Sequence, residues 1–514
     1  MKLSAATVDA IKSGYDFPDP VINVGALLND QQADSSAPIR IPLNMFNRHG
    51  LIAGATGTGK TVTLQVLAEQ LSAAGVPVFA ADIKGDLTGL AQAGQPHEKI
   101  SARADAIGQD WAGQAAPVEA LSLGGFGTGI PIRASVTSFG PLLLAKVLEL
   151  NQTQESVLAL LFHYADSNGL ALLDLTDVKA LLSFLDSPEG KAQLKSIGGI
   201  SSASVGVILR KIAALEAQGA DAFFGEPEFE TADLLRLDES GKGIISLLEL
   251  PALQQRPALF STFMMWLLAD LFQELPEVGD TDKPRLVFFF DEAHLLFKNA
   301  SAAFLDSVVQ TVRLIRSKGV GIFFVTQSPK DVPGDVLAQL GSRVQHQLRA
   351  HTPNDAKALK AAVQTYPTTD FDLAEVLTSL GTGEAVVTVL DPDGSPTPVA
   401  PTLMRAPVSR IGNLEASLLE ELVAGSSLRS KYAVPIDRES AREILERRAA
   451  ETTQSERSDP TPPPYDPPAR RAPRNQPKPE PTVLDQVLGS SAFKQFTRTA
   501  AREIARTIFG TRRR

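Results

Sequence analysis

Short, wholly apolar runs alternate along this chain with longer stretches in which apolar residues return every three or four positions. The runs include Leu51-Ile52-Ala53, Val76 to Ala81, Gly243 to Leu248, Leu286 to Phe290, Gly321 to Val325, Val344 to Leu348 and Ala385 to Leu390. Runs of this length without polar alternation predict strands buried on both faces. The segment from Val62 to Ala68 begins a helix with an apolar face, and a long apolar helix is predicted from Ala258 to Phe272. Strand, helix, strand implies a parallel sheet, so the fold class is α/β.

Between these runs the period changes. Residues 138–226 are helical by pattern, with helices predicted at Thr153 to Ala165, Thr176 to Leu185 and Ser204 to Gln218, and they form an inserted helical lobe. Residues 1–45 form a short leader, in which Val21 to Pro42 gives short strands and turns. The α/β core is then expected over 46–410 and a helical extension over 411–455. A proline-rich segment, 456–482, with ten prolines between Asp459 and Thr482, is expected to be a stiff, disordered linker. Beyond it, 483–514 places Val483, Val487, Phe493, Phe496, Ile504 and Ile508 among basic residues, the pattern of a basic amphipathic tail helix.

Charge sharpens that division. The whole chain carries a formal charge of −10, yet from Arg470 to Arg514 there are 11 Lys and Arg against 3 Asp and Glu. The acidic remainder argues against indiscriminate nucleic-acid binding over the whole surface, and the tail is a separate basic object that could meet DNA, anionic lipid or another subunit. With no Cys, disulfides and thiolate metal sites are excluded, and the 6 His show no ligand spacing. The most apolar run, Leu259 to Phe272, is interrupted by Asp270 and too short to span a bilayer. A soluble, cytoplasmic protein without a membrane span is expected.

The chemistry is concentrated in a few motifs. Gly54-Ala55-Thr56-Gly57-Thr58-Gly59-Lys60-Thr61 fits GxxxxGK[ST] and lies between an apolar strand and a helix. A triphosphate needs several donors converging on a small volume, which the backbone N–H groups of a tight glycine-rich loop supply. The ATP cradle is expected to run from Gly54 to Val62, with Lys60 reaching the β and γ phosphates and Thr61 ligating Mg²⁺. A glycine-rich turn that matches by chance is the alternative; the flanking strand and helix argue against it.

The strand Leu286 to Phe290 delivers Asp291 and Glu292 at its end, where open α/β sheets place their ligand crevice. Asp291 would hold Mg²⁺ and Glu292 would polarise the attacking water. The strand ending at Val325 is followed by Thr326-Gln327-Ser328-Pro329, and Gln327 can sense the γ phosphate. Arg313 and Arg316 lie one helical turn apart on one face. Asp291-Glu292-Ala293-His294 also spells the box of a large RNA helicase group, but neither that group's Ser-Ala-Thr motif nor its later arginine-rich motif is found here.

Taken with Asp82-Ile83-Lys84-Gly85-Asp86 and the stretch Leu340 to Ala350, these motifs resemble the HerA/FtsK superfamily of ring-forming ATPases, most closely a bacterial family of HerA-like proteins. The resemblance spans residues 20–410. It implies a RecA-like core that assembles as a homo-hexamer, binds ATP between subunits and moves duplex DNA through the ring. It further implies an arginine given in trans, Arg316 first and Arg313 second, with Arg343 and Arg349 as weaker alternatives. The leader is too short for the β-barrel that precedes the phosphate loop in HerA, and no anchor like that of FtsK is seen. Two functions follow: an ATP-hydrolysing DNA translocase or DNA-processing motor, or an ATP-dependent assembly that remodels a protein partner, itself unnamed by the sequence.

Overall fold

A computed structural model describes residues 2–458 other than 19, 195–197, 252–256, 280, 298–301 and 351. The proline-rich linker, apart from its first three residues, and the basic tail expected from the sequence lie outside the described residues.

Among the described residues twelve strands make one sheet: β1 (Val21–Asn29), β2 (Gln32–Pro42), β3 (Gly50–Ala53), β4 (Val78–Asp82), β5 (Val118–Leu123), β6 (Ile130–Ile132), β7 (Ile245–Glu249), β8 (Leu286–Phe290), β9 (Val320–Thr326), β10 (Ser342–His346), β11 (Glu384–Thr388) and β12 (Ala400–Met404). Their spatial order is β2-β1-β12-β11-β10-β3-β9-β8-β4-β7-β5-β6. From β10 to β6 every neighbouring pair is parallel, whereas β10, β11, β12, β1 and β2 pair antiparallel.

The apolar runs have a direct cause. Successive side chains of a strand point to opposite faces. Thus Phe288 and Phe290 join one core cluster while Val287 and Phe289 join the other. Helices cover both faces, so neither face tolerates polar alternation.

The helices that matter to the site and its surroundings are α1 (Ala5–Gly14), α2 (Lys60–Ala73), α3 (Val136–Val147), α4 (Gln152–Ser167), α5 (Leu175–Asp186), α6 (Ser202–Glu216), α7 (Pro257–Glu274) and α8 (Ala302–Ile315). Helices α3 to α6 form the lobe expected from the sequence, inserted between β6 and β7. Its cluster is continuous with the core beneath α7 and α8.

Two regions are more closely built into the sheet than their patterns suggest. The leader strands run to 9 and 11 residues, and β1 pairs with β12, making the hairpin one edge of the sheet. Its two-residue turn, Asp30 and Gln31, takes the positive φ angles that fit a right-twisted hairpin. The segment after β12 straps across the molecule. Glu69 of α2, itself buried, accepts from Val408 N (2.9 Å), Ser409 N (3.1 Å) and Ser409 Oγ (2.8 Å). Farther on, the Tyr432 hydroxyl donates to Asp233 and Arg442 N to Asp177 Oδ1 of the lobe.

Candidate nucleotide site

Four neighbouring parallel strands, in the order β3, β9, β8, β4, end along one edge of the sheet and carry the predicted chemistry there. The phosphate loop follows β3, Gln327 follows β9, Asp291 and Glu292 follow β8, and Asp82 closes β4. The register fixes their spacing, with Ala53 opposite Thr326 and Phe290 opposite Phe324. Two backbone bonds tie the strand ends together, Gly54 N to Thr326 O (3.2 Å) and Ala293 N to Val325 O (2.8 Å).

The phosphate loop needs its glycines. Gly54 has φ +156°, and a Cβ there would sit 2.5 Å from Cβ of His346. Gly59 at φ +113° caps α2, which begins at Lys60 and aims its free N–H groups into the loop. The loop rests on buried His346, whose Nε2 lies 2.9 Å from Thr63 Oγ1 and whose Nδ1 lies 2.9 Å from Glu384 O. Burial pushes that imidazole down to about 4, so it stays neutral. Lys60 is buried, its ammonium folded onto Ala55 O at 3.1 Å, and desolvation lowers its pKa.

Opposite the loop stands a carboxylate pair in two different electrical states. Asp291 is buried with both oxygens free of hydrogen-bond partners, and desolvation pushes it up to about 6. A buried carboxylate of this kind fits an Mg²⁺ ligand, with the Thr61 hydroxyl at the first turn of α2 as the second protein oxygen. Among the described residues no group of three or more His, Cys, Asp or Glu could hold an ion by itself.

Glu292 is held lower. Burial alone would raise its pKa, but the hydrogen bond and charge of Lys84, with His294 and Lys60 behind them, outweigh burial and keep it ionised. Its Oε1 pairs with Lys84 Nζ. Its Oε2 lies 3.1 Å from His294 Nδ1 without the alignment of a hydrogen bond. Glu292 also has φ +46°, a left-handed backbone that a non-glycine residue holds at some cost, and such outliers gather at functional sites.

Lys84 is the residue the sequence motif did not assign. It is carried by a loop that folds back because Asp82 accepts from Gly85 N (2.7 Å) and Leu87 N (2.9 Å). Asp82 is fully buried, and desolvation pushes it up to about 7. The sequence offered only the motif Asp82-Ile83-Lys84-Gly85-Asp86, without a role for its lysine.

Gln327 is exposed and, with His294, Phe297 and Asp331, lines a cavity of about 320 Å³ beside the carboxylates. A larger cavity, about 720 Å³, lies in the lobe between Ser135, His163, Glu228 and Arg438, away from the phosphate loop.

The arginines separate. Arg313 is exposed on α8, and Arg316 follows in the turn Arg316–Lys318, just before β9 begins. They therefore stand at the opposite edge of the sheet from their own phosphate loop, since the seven residues of β9 rise roughly 20 Å. Arg343 donates to Thr365 O and stacks over Tyr366, so it is tied within its own chain. Arg349 approaches Thr56 O of its own phosphate loop at 3.4 Å.

Comparison with known proteins agrees with this geometry. The profile of a family described as helicase HerA-like C-terminal matches residues 28–514. The DNA double-strand break repair helicase HerA of Saccharolobus solfataricus is 22% identical over 387 residues, 74% of this chain and 68% of that protein. A probable helicase of Methanocaldococcus jannaschii is 30% identical over 124 residues, 23% of this chain and 22% of its own. The plasmid coupling protein TrwB bound to a non-hydrolysable ATP analogue superposes with a TM-score of 0.53 at 17% identity, over 81% of this chain and 95% of that one. Its complex with ADP and Mg²⁺ gives 0.51 at 16%, over 80% and 95%. At these identities the structural likeness speaks to fold, and the fold is the RecA-like P-loop core expected from the motifs.

Proposed function

This chain belongs to the helicase HerA-like C-terminal family, a P-loop ATPase with a RecA-like core, and we propose that it works as an oligomeric motor that couples ATP hydrolysis to moving or processing duplex DNA. The observation that carries the reading is the division of the site. Phosphate loop, Asp291, Glu292 and Gln327 share one edge of the sheet, while Arg313 and Arg316 stand at the other, away from their own phosphate loop, which supports a role in a neighbouring subunit's site.

Within a subunit the roles follow from placement. The loop N–H groups and Lys60 bind the phosphates, Lys60 giving up its contact with Ala55 O to do so. Thr61 and Asp291 would hold Mg²⁺, which supplies charge neutralisation on the β and γ phosphates. Glu292, kept ionised by Lys84, orients the attacking water and takes its proton. Gln327 lies between the two halves and can hydrogen-bond the γ phosphate or that water. Arg316 of an adjacent subunit, with Arg313 second, then stabilises the charge developing on the transferred group. That geometry makes turnover depend on assembly, as a ring of six would provide.

DNA as the polymer moved is supported by the named activity of the HerA relatives, and the basic composition of 470–514 offers phosphate contacts. The test is steady-state ATP hydrolysis with and without duplex DNA. Glu292→Gln should lower turnover about 10²- to 10⁴-fold, the usual worth of a general base, and duplex DNA should stimulate the unmodified protein. A rate indifferent to DNA would favour the remodelling of a protein partner instead.

A further inference from the structure

His49 lies one residue before β3 and has no place in the chemistry described so far. It is buried at 2% exposure and holds φ +61° with ψ 169°, a backbone region that is essentially glycine's alone. Both ring nitrogens are used. Ile322 N donates to Nδ1 at 3.1 Å, which fixes Nδ1 as the acceptor. The proton of the neutral ring must then sit on Nε2, which donates to Val312 O at 2.7 Å. Burial, with the nearby charge of Arg316, holds the pKa down at about 4, so the ring stays neutral at neutral pH.

The three elements joined by this ring are the ones the site divides between. β3 ends in the phosphate loop, β9 ends at Gln327, and α8 carries Arg313 and leads into Arg316. Val312 lies in the last turn of α8, which ends at Ile315. His49 thus ties down the last turn of the helix from which the arginines emerge. A backbone bond from Ser342 N to His49 O (3.1 Å) adds β10 to the same joint.

We propose that His49 is a positioning residue for the neighbouring subunit's site, fixing the last turn of α8, and with it Arg316, against the roots of β3 and β9. This rests on the reading that Arg316 acts in trans. Asn is the informative replacement. It keeps a side chain on the same strained backbone, as His does, and its short amide can still accept from Ile322 N, but it does not reach Val312 O.

The experiment mixes variants of the full chain. Glu292→Gln subunits have a dead site of their own and an intact arginine to lend. Arg316→Ala subunits have an intact site and nothing to lend. Each alone should be at least tenfold slower than the unmodified protein, and their mixture should recover turnover because mixed assemblies pair good sites with good arginines. His49→Asn should behave as Arg316→Ala does: slow alone, with its KM for ATP unchanged, and recovered by mixing with Glu292→Gln. If Arg316→Ala is recovered and His49→Asn is not, His49 serves its own phosphate loop and the inference fails. Turnover by His49→Asn alone at the unmodified rate also overturns it. If Arg316→Ala is not recovered either, the trans-arginine reading beneath it has failed.

Discussion

Lys84 and Glu292 show how one contact decides the state of a site. The carboxylate is 6% exposed, and without the lysine it would be a buried charge facing Asp291. Lys84→Met should therefore lower turnover on the order of tenfold, the worth of one charge-assisted hydrogen bond, with little change in KM for ATP. Lys84→Arg should restore part of the rate; a methionine variant at full rate would show the pair to be idle in catalysis.

Buried titratable groups also set how the protein responds to acid. His49 and His346 both sit at about 4, below the ordinary histidine value. Their contribution to stability is complete above about pH 6.5 and is lost as pH falls toward 4, because the unfolded chain binds protons the fold refuses. Asp82, at about 7, works in the opposite sense: the fold takes its proton first, so acid relieves a penalty over the same window. The two effects offset each other. Asp82→Asn removes the offset, and its thermal midpoint should fall more steeply between pH 7.5 and 5 than that of the unmodified chain. Parallel profiles would contradict the assignment of Asp82 as a buried, easily protonated acid.

At the scale of elements, the parallel strands were legible because burial on both faces leaves an uninterrupted apolar run, as in Leu286 to Phe290. The phosphate loop and the acids after β8 were legible because their chemistry demands particular residues at particular places on a strand end. The edge was harder. β2 is polar and exposed over its first half, so its eleven residues read as a short strand with loops. β5, β6 and β12 escaped notice because their runs are short or broken by polar residues and prolines, as in Ile130-Pro131-Ile132. Lys84 and His49 escaped for another reason. Each acts through a partner more than two hundred positions away, and no local period announces such a contact.

Over the whole molecule, the segment after β12 ties the phosphate-loop helix to the lobe through Glu69, Asp233 and Asp177, so ATP site and lobe belong to one packed body. On the proposed reading, in which Arg316 completes a neighbour's site, that body is catalytically incomplete by itself. Among the described residues no helix is long and apolar enough to cross a membrane. The main body is acidic and the C-terminal sequence basic, so the positive charge is set apart from the bulk of the chain.

The most direct measurement is ATP turnover per chain across a dilution series, with the mass of the assembly followed in the same samples. Completion of each site by a neighbour predicts that turnover per chain collapses as the assembly dissociates, approaching the rate of Arg316→Ala, a loss of about 10³- to 10⁵-fold if the arginine carries its usual weight. Constant turnover per chain down to concentrations at which only monomer remains would contradict it, and would make this a self-sufficient ATPase.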